Sequence, residues 1–157
     1  IYLYNYTPEP WKAQARVREV MDRLYNYTPD GYCGDEDNGQ TSAWYVFSAL
    51  GFYPVTPGTG EYVLGSPLFR KATVTFADGK ELVIEAPGNS SQNIYVKEAW
   101  LNSRRLEVNY VTHEQLTAGG TLEFVMSHEP ERERGTGISA RPYSMSSHRE
   151  QIKEDQR

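Results

Sequence analysis

The sequence predicts an α+β chain: two helices that read as the last hairpin of a helical barrel, then short antiparallel strands arranged like a sandwich. Three observations predict it. Apolar residues recur at helical spacing from Ala13 to Leu24 and again crowd Ala43 to Leu50. From Ala72 onward the period drops to two. Between them, Pro57-Gly58-Thr59-Gly60 punctuates the change. The expected division is 1–57 for the helices and the loop joining them, 58–142 for the β region, and 143–157 for a charged, disordered tail.

The first helix is expected to start at Thr7-Pro8, a hydroxyl cap followed by proline in the first turn. Ala13, Val17, Val20 or Met21, and Leu24 then recur at helical spacing, and Glu19 and Arg23 can pair on the outer face. Thr28-Pro29-Asp30-Gly31 is a turn. The second helix is expected over Asn38 to Leu50, closed by Gly51 and blocked by Pro54. Ala43, Trp44, Val46, Phe47, Ala49 and Leu50 leave it no polar face, so it should be buried nearly all round. Ala72, Val74 and Phe76 mark one strand, Asp78-Gly79 a hairpin turn, and Leu82 with Ile84 the next strand. Further strands are expected around Ile94 to Val96, Asn109 to Val111 and Leu122 to Met126.

Composition narrows the function classes. A chain of 157 residues can bury one modest core. Its net charge of −5 and lack of a recurring basic patch argue against a nucleic-acid partner. No apolar run approaches the roughly 20 residues of a membrane span. The single Cys33 forms no intrachain disulfide and fits no metal-ligand spacing. The chain has neither an initiating Met nor a signal peptide, and it opens inside apparent structure at Ile1-Tyr2-Leu3-Tyr4. We therefore expect a C-terminal piece of a longer protein.

The chemistry concentrates in Gly34-Asp35-Glu36-Asp37-Asn38-Gly39-Gln40, which runs directly into the buried second helix. Three carboxylates between two glycines, at the mouth of an apolar helix, read as an active-site loop. The positive end of the helix dipole favours carboxylate over carboxylic acid, whereas three adjacent like charges oppose it. A carboxylate is the species a general base acting on water needs. An inverting glycosidase uses such a base with a partner acid ~6.5–9.5 Å away across the sugar ring.

Two blander readings compete. The acids can serve as helix caps, leaving a non-catalytic carbohydrate-binding or structural β-sandwich module. A helix–loop–helix calcium site fails on the pattern, because Gln40 stands at the invariant glycine and Val46 at the bidentate glutamate. His113, His128 and His148 have no ligand spacing, and Ser42 and Ser48 have no visible base partner.

Several further runs accompany the acidic loop: Tyr2-Leu3-Tyr4-Asn5, Pro10-Trp11, Ser42-Ala43-Trp44-Tyr45, Gly51-Phe52-Tyr53-Pro54-Val55 and Gly65-Ser66-Pro67-Leu68-Phe69. Together these resemble glycoside hydrolase family 92, the calcium-dependent, inverting, exo-acting α-mannosidases common in bacteria, many of them α-1,2-mannosidases. The resemblance spans roughly Tyr2 to Pro142; Thr41 departs from the family's usual Met and Ser103 from its usual Gly. It implies the end of an (α/α)6 catalytic barrel, with mannose-containing glycans as substrates and the rest of the parent chain as structural partner. Asp37 is implied as the water-activating base, with Asp35 holding the same water, and Glu36 and Gln40 as sugar contacts. The catalytic acid, a Glu, is implied to lie upstream of Ile1. Calcium is implied as cofactor without ligands assigned here, and a secreted, periplasmic or cell-surface location for the parent.

Overall fold

The computed structural model describes residues 1–146. The expected tail over 143–157 therefore lies mostly outside the described residues, as does His148. A 3-10 helix over Tyr2–Tyr6 leads into α1 (Trp11–Leu24), and α2 spans Gln40–Leu50. Eight strands follow: β1 (Phe52–Tyr53), β2 (Glu61–Leu64), β3 (Lys71–Thr75), β4 (Glu81–Glu85), β5 (Tyr95–Leu101), β6 (Arg104–Arg105), β7 (Tyr110–Thr112) and β8 (Gly120–Ser127). Between β7 and β8 lies the short helix α3 (His113–Thr117), begun by a Thr112/Gln115 capping box.

The strands form two sheets. One has the order β1-β2-β7 and the other β3-β4-β8-β5-β6. Every pairing is antiparallel except β4 with β8, which is parallel. The antiparallel expectation is corrected there: β4 and β8 are far apart in sequence, so no hairpin dictates their direction. Phe52, Leu64 and Val111 of the small sheet and Leu82, Ile84, Ala99, Leu122 and Phe124 of the large one are buried in a single cluster. The sandwich reading thus has a physical basis in a core shared between two sheet faces.

The helices close one end. Tyr2, Val17, Met21, Ala49 and Val63 make a second buried cluster. The Gln14 side chain is buried, and its Oε1 accepts the Val96 backbone N–H at 2.9 Å, tying α1 to β5. Asn5 donates to the Leu64 carbonyl at 3.2 Å, and Tyr2 donates to Ser48 Oγ at 2.9 Å. These buried bonds bind the helical segment to the strands and orient everything that projects from it.

Two helix expectations change. α1 starts at Trp11 rather than Thr7, because the Thr7 hydroxyl is engaged elsewhere. It donates to the Tyr4 carbonyl and accepts the Glu9 N–H, closing the turn after the 3-10 helix. α2 is not buried all round. Thr41, Ser48 and Ala49 are its buried residues, whereas Val46 is 56% exposed. Among the described residues, α1 and the strands cover only part of its circumference.

Candidate active-site loop

The chain reaches the acidic loop through a tight connection. Asn26 N–H donates to the Gly31 carbonyl at 3.0 Å, closing the turn after α1. Gly31 is required there: a Cβ would stand 2.1 Å from the Asn26 carbonyl oxygen. Tyr25, the residue that ends α1, donates its hydroxyl to the Thr41 carbonyl, 3.2 Å away in the first turn of α2. The two ends of the loop are thereby held close together.

Within the loop, three consecutive residues adopt left-handed backbone: Asp37 (φ 52°), Asn38 (φ 57°) and Gly39 (φ 92°). Asp and Asn enter this region more readily than other side chains, and Gly enters it freely. A run of three still carries strain that surrounding contacts must hold in place. Those contacts are specific. Gln40 N–H donates to the Asp37 carbonyl, Thr41 N–H to the Glu36 carbonyl, and Thr41 Oγ1 to the Asp35 carbonyl at 2.9 Å. The loop's backbone oxygens thus occupy donors that an α-helix leaves free at its start.

The three acids separate by role. Glu36 turns inward: its Oε1 accepts the Ser42 backbone N–H at 3.2 Å, and its Oε2 is buried without a hydrogen-bond partner. Asp35 and Asp37 are exposed, and among the described residues neither carboxylate has a hydrogen bond or ion pair. The N-cap of α2 is Gly39, which has no side chain to cap with, and no acidic residue lies in the first turn of the helix. The capping reading is therefore corrected for Asp35 and Asp37; of the three acids only Glu36 meets a helix donor. Gln40 is exposed, and its Nε2 donates to the Tyr53 hydroxyl at 3.1 Å.

An aromatic wall that the sequence reading missed backs the loop. Tyr25 stacks on Trp44 with ring centroids 5.7 Å apart, and meets Tyr45 at 4.9 Å and Tyr32 at 6.0 Å. The Tyr32 hydroxyl is 2.6 Å from Ser42 Oγ. Tyr25, Tyr32 and Tyr45 also line a cavity of about 720 Å³ along α1, which Arg18 and Asp22 edge with charge. The signal for these residues was the twelve tyrosines, but count alone does not place them. Trp44 packs against the second core cluster. His113 Nδ1 lies 3.1 Å from the Tyr62 hydroxyl, away from the loop.

The calcium implied by the resemblance does not find a ligand set in these residues. Among the described residues, no three His, Cys, Asp or Glu side chains gather as one. Calcium takes about six to eight oxygens. The inward turn of Glu36 separates its carboxylate from those of Asp35 and Asp37, so the three acids do not form a carboxylate cluster for calcium.

The model of the glycosyl hydrolase family 92 catalytic domain matches residues 1–128. Among solved structures, the family GH92 inverting mannosidase of Bacteroides thetaiotaomicron is 52% identical, with a TM-score of 0.86 over 92% of this chain and 20% of its own. A family GH92 α-mannosidase of the same bacterium is 42% identical, with a TM-score of 0.87 over 92% of this chain and 19% of its own. A secreted glycosidase of Arthroderma benhamiae is 29% identical over 147 residues, 92% of this chain and 19% of the relative. The chain thus spans about a fifth of the length of these relatives.

Proposed function

The chain belongs to glycosyl hydrolase family 92, and on that footing we propose that it carries the water-activating end of an exo-α-mannosidase. In this reading the full-length protein releases terminal α-linked mannose, α-1,2-linked foremost, from glycans with inversion. The observation that carries it is the division of labour among the acids. Glu36 is used up inside the loop, while Asp35 and Asp37 stay exposed and unpartnered among the described residues, Asp37 itself on left-handed backbone.

The chemistry follows from that arrangement. Asp37 takes a proton from a water as the water oxygen attacks the anomeric carbon. Asp35 accepts a second hydrogen bond from the same water and orients it. The glycosidic bond breaks on the opposite face, where an acid protonates the departing oxygen. That acid comes from outside this chain, as does most of the sugar pocket. Glu36 anchors the loop that presents the base, and Gln40, steadied by Tyr53, is a candidate sugar contact. Calcium belongs to this reading through the resemblance alone, and no step above runs through it. The full-length protein works outside the cytoplasm, in keeping with the secreted relative.

The deciding experiment is Asp37→Asn in the full-length protein. The amide keeps the size of the side chain and still orients a water, but it cannot take the proton. Turnover on an α-mannoside should fall roughly 10²–10⁴-fold with little change in KM. A wild-type kcat in this variant would remove Asp37 as base.

A further inference from the structure

At the far end of α1 from the acidic loop lies a second, smaller cavity of about 420 Å³. Since α1 has 14 residues, the two ends are about 20 Å apart. Tyr4, Trp11 and Tyr95 line this cavity together with Lys12, Arg16 and Arg132. Three rings and three cations meet there with no carboxylate in the lining, on a chain whose net charge is −5.

The cations are not equivalent. Lys12 is paired with Glu9 at 2.6 Å, and Arg16 with Glu19, both acids standing outside the lining. Arg132 has no carboxylate partner among the described residues. Its guanidinium sits 5.6 Å from the Trp11 ring centroid, while the Lys12 ammonium sits 5.9 Å from that of Tyr4. Stacking on Trp11 holds the Arg132 fork at the cavity wall, and among the described residues its N–H donors meet no acceptor. A planar, unpaired guanidinium matches a carboxylate or sulfate group through two parallel hydrogen bonds. The indole and phenol faces beside it offer apolar surface for a sugar ring, with polar edges for its hydroxyls. The volume lies within the ~300–1,000 Å³ typical of small-molecule sites.

We propose that this cavity is a second saccharide site, separate from the acidic loop, that binds a sugar ring bearing one anionic substituent. Arg132 takes the anion, and Trp11 with Tyr4 and Tyr95 takes the ring. The proposal does not rest on Asp35 or Asp37 and stands or falls apart from the mannosidase reading.

The test uses the full-length protein with ¹⁵N-labelled tryptophan. The Trp11 indole resonance is assigned through Trp11→Phe, and Trp44 and Trp100 serve as internal controls. The probes are glucuronate, glucose 6-sulfate, glucose and inorganic sulfate. The Trp11 resonance should shift saturably with at least one anionic sugar, at an affinity roughly tenfold or more above that for glucose or sulfate alone. Whichever anionic sugar binds identifies the anion. Arg132→Gln, at an exposed position, should fold as the wild type and weaken binding by roughly tenfold. Equal affinity for sulfate and the anionic sugars, or undiminished binding in Arg132→Gln, or no saturable shift with either anionic sugar, would overturn the site.

Discussion

The Glu36 carboxylate accepts the backbone N–H of Ser42 at 3.2 Å, bridging the acidic loop to the first turn of α2. This single contact separates Glu36 from its two neighbours and gives the left-handed run Asp37-Asn38-Gly39 an anchor on its N-terminal side. Its other oxygen is buried and unpaired, so removal of the side chain has two opposing effects. Glu36→Gln keeps an acceptor for Ser42 and relieves the unpaired charge; its stability should stay within about 1 kcal/mol of the wild type. Glu36→Ala loses the cap and should cost about 0.5–2 kcal/mol in urea unfolding. An Ala variant as stable as the wild type would show that the loop holds its shape without Glu36.

The β5–β6 turn offers a gain in stability. Asn102 (φ 50°) and Ser103 (φ 65°) both take left-handed backbone, the geometry of a two-residue hairpin that favours Asn-Gly. Asn102 is already the preferred residue, and its Oδ1 accepts the Thr121 N–H at 2.8 Å. Ser103 is the strained partner. Ser103→Gly should stabilise the chain by roughly 0.5–1 kcal/mol, a rise of a few degrees in Tm. A fall in Tm would mean that the Ser103 side chain makes a contribution larger than its backbone strain.

Alkaline pH should unfold the chain, and Tyr2 should account for part of the effect. Burial pushes the Tyr2 phenol up from its ordinary value of 10.0, with the hydrogen bond to Ser48 pulling the other way. The unfolded chain therefore ionises first. The stability contributed by the neutral phenol is complete below pH 10 and is lost as pH rises beyond it. In Tyr2→Phe the buried Ser48 loses its 2.9 Å partner, which should cost about 1–3 kcal/mol near neutral pH. The same variant should show a shallower decline in stability above pH 10. Parallel slopes for the two proteins would assign the alkaline transition to other tyrosines, of which Tyr6, Tyr25 and Tyr110 are also shifted upward.

The exposed side of α2 should make the isolated chain self-associate. Val46 is 56% exposed on a helix whose apolar residues continue around it. Dye binding and sedimentation should report accessible apolar surface and oligomers. Val46→Lys should reduce dye binding by roughly twofold without loss of stability. A clean monomer that binds no dye would show that this face needs no cover.

By itself the amino-acid sequence determined the local elements and singled out the acidic loop. Alternation in Ala72, Val74 and Phe76 marked β3, and Asp78-Gly79 marked the turn, where Lys80 N–H donates to Asp78 Oδ1. Gly51 ended α2 as expected, in left-handed backbone at φ 102°. Asp35, Glu36 and Asp37 stood out because charge that dense beside an apolar helix has no simple surface explanation. These features are legible because they rest on neighbours within a few residues. The Thr112/Gln115 capping box was equally legible, and α3 went unread.

Only the tertiary structure decided which acid turns inward. Adjacent side chains alternate in direction, but the direction of Glu36 depends on where Ser42 lies, and that depends on three left-handed residues in a row. The parallel pairing of β4 with β8, the Gln14 bond to Val96 and the Tyr2 bond to Ser48 join residues far apart in the chain. No periodicity encodes such pairs. They form because burial leaves each donor, acceptor or ring one place to find its partner.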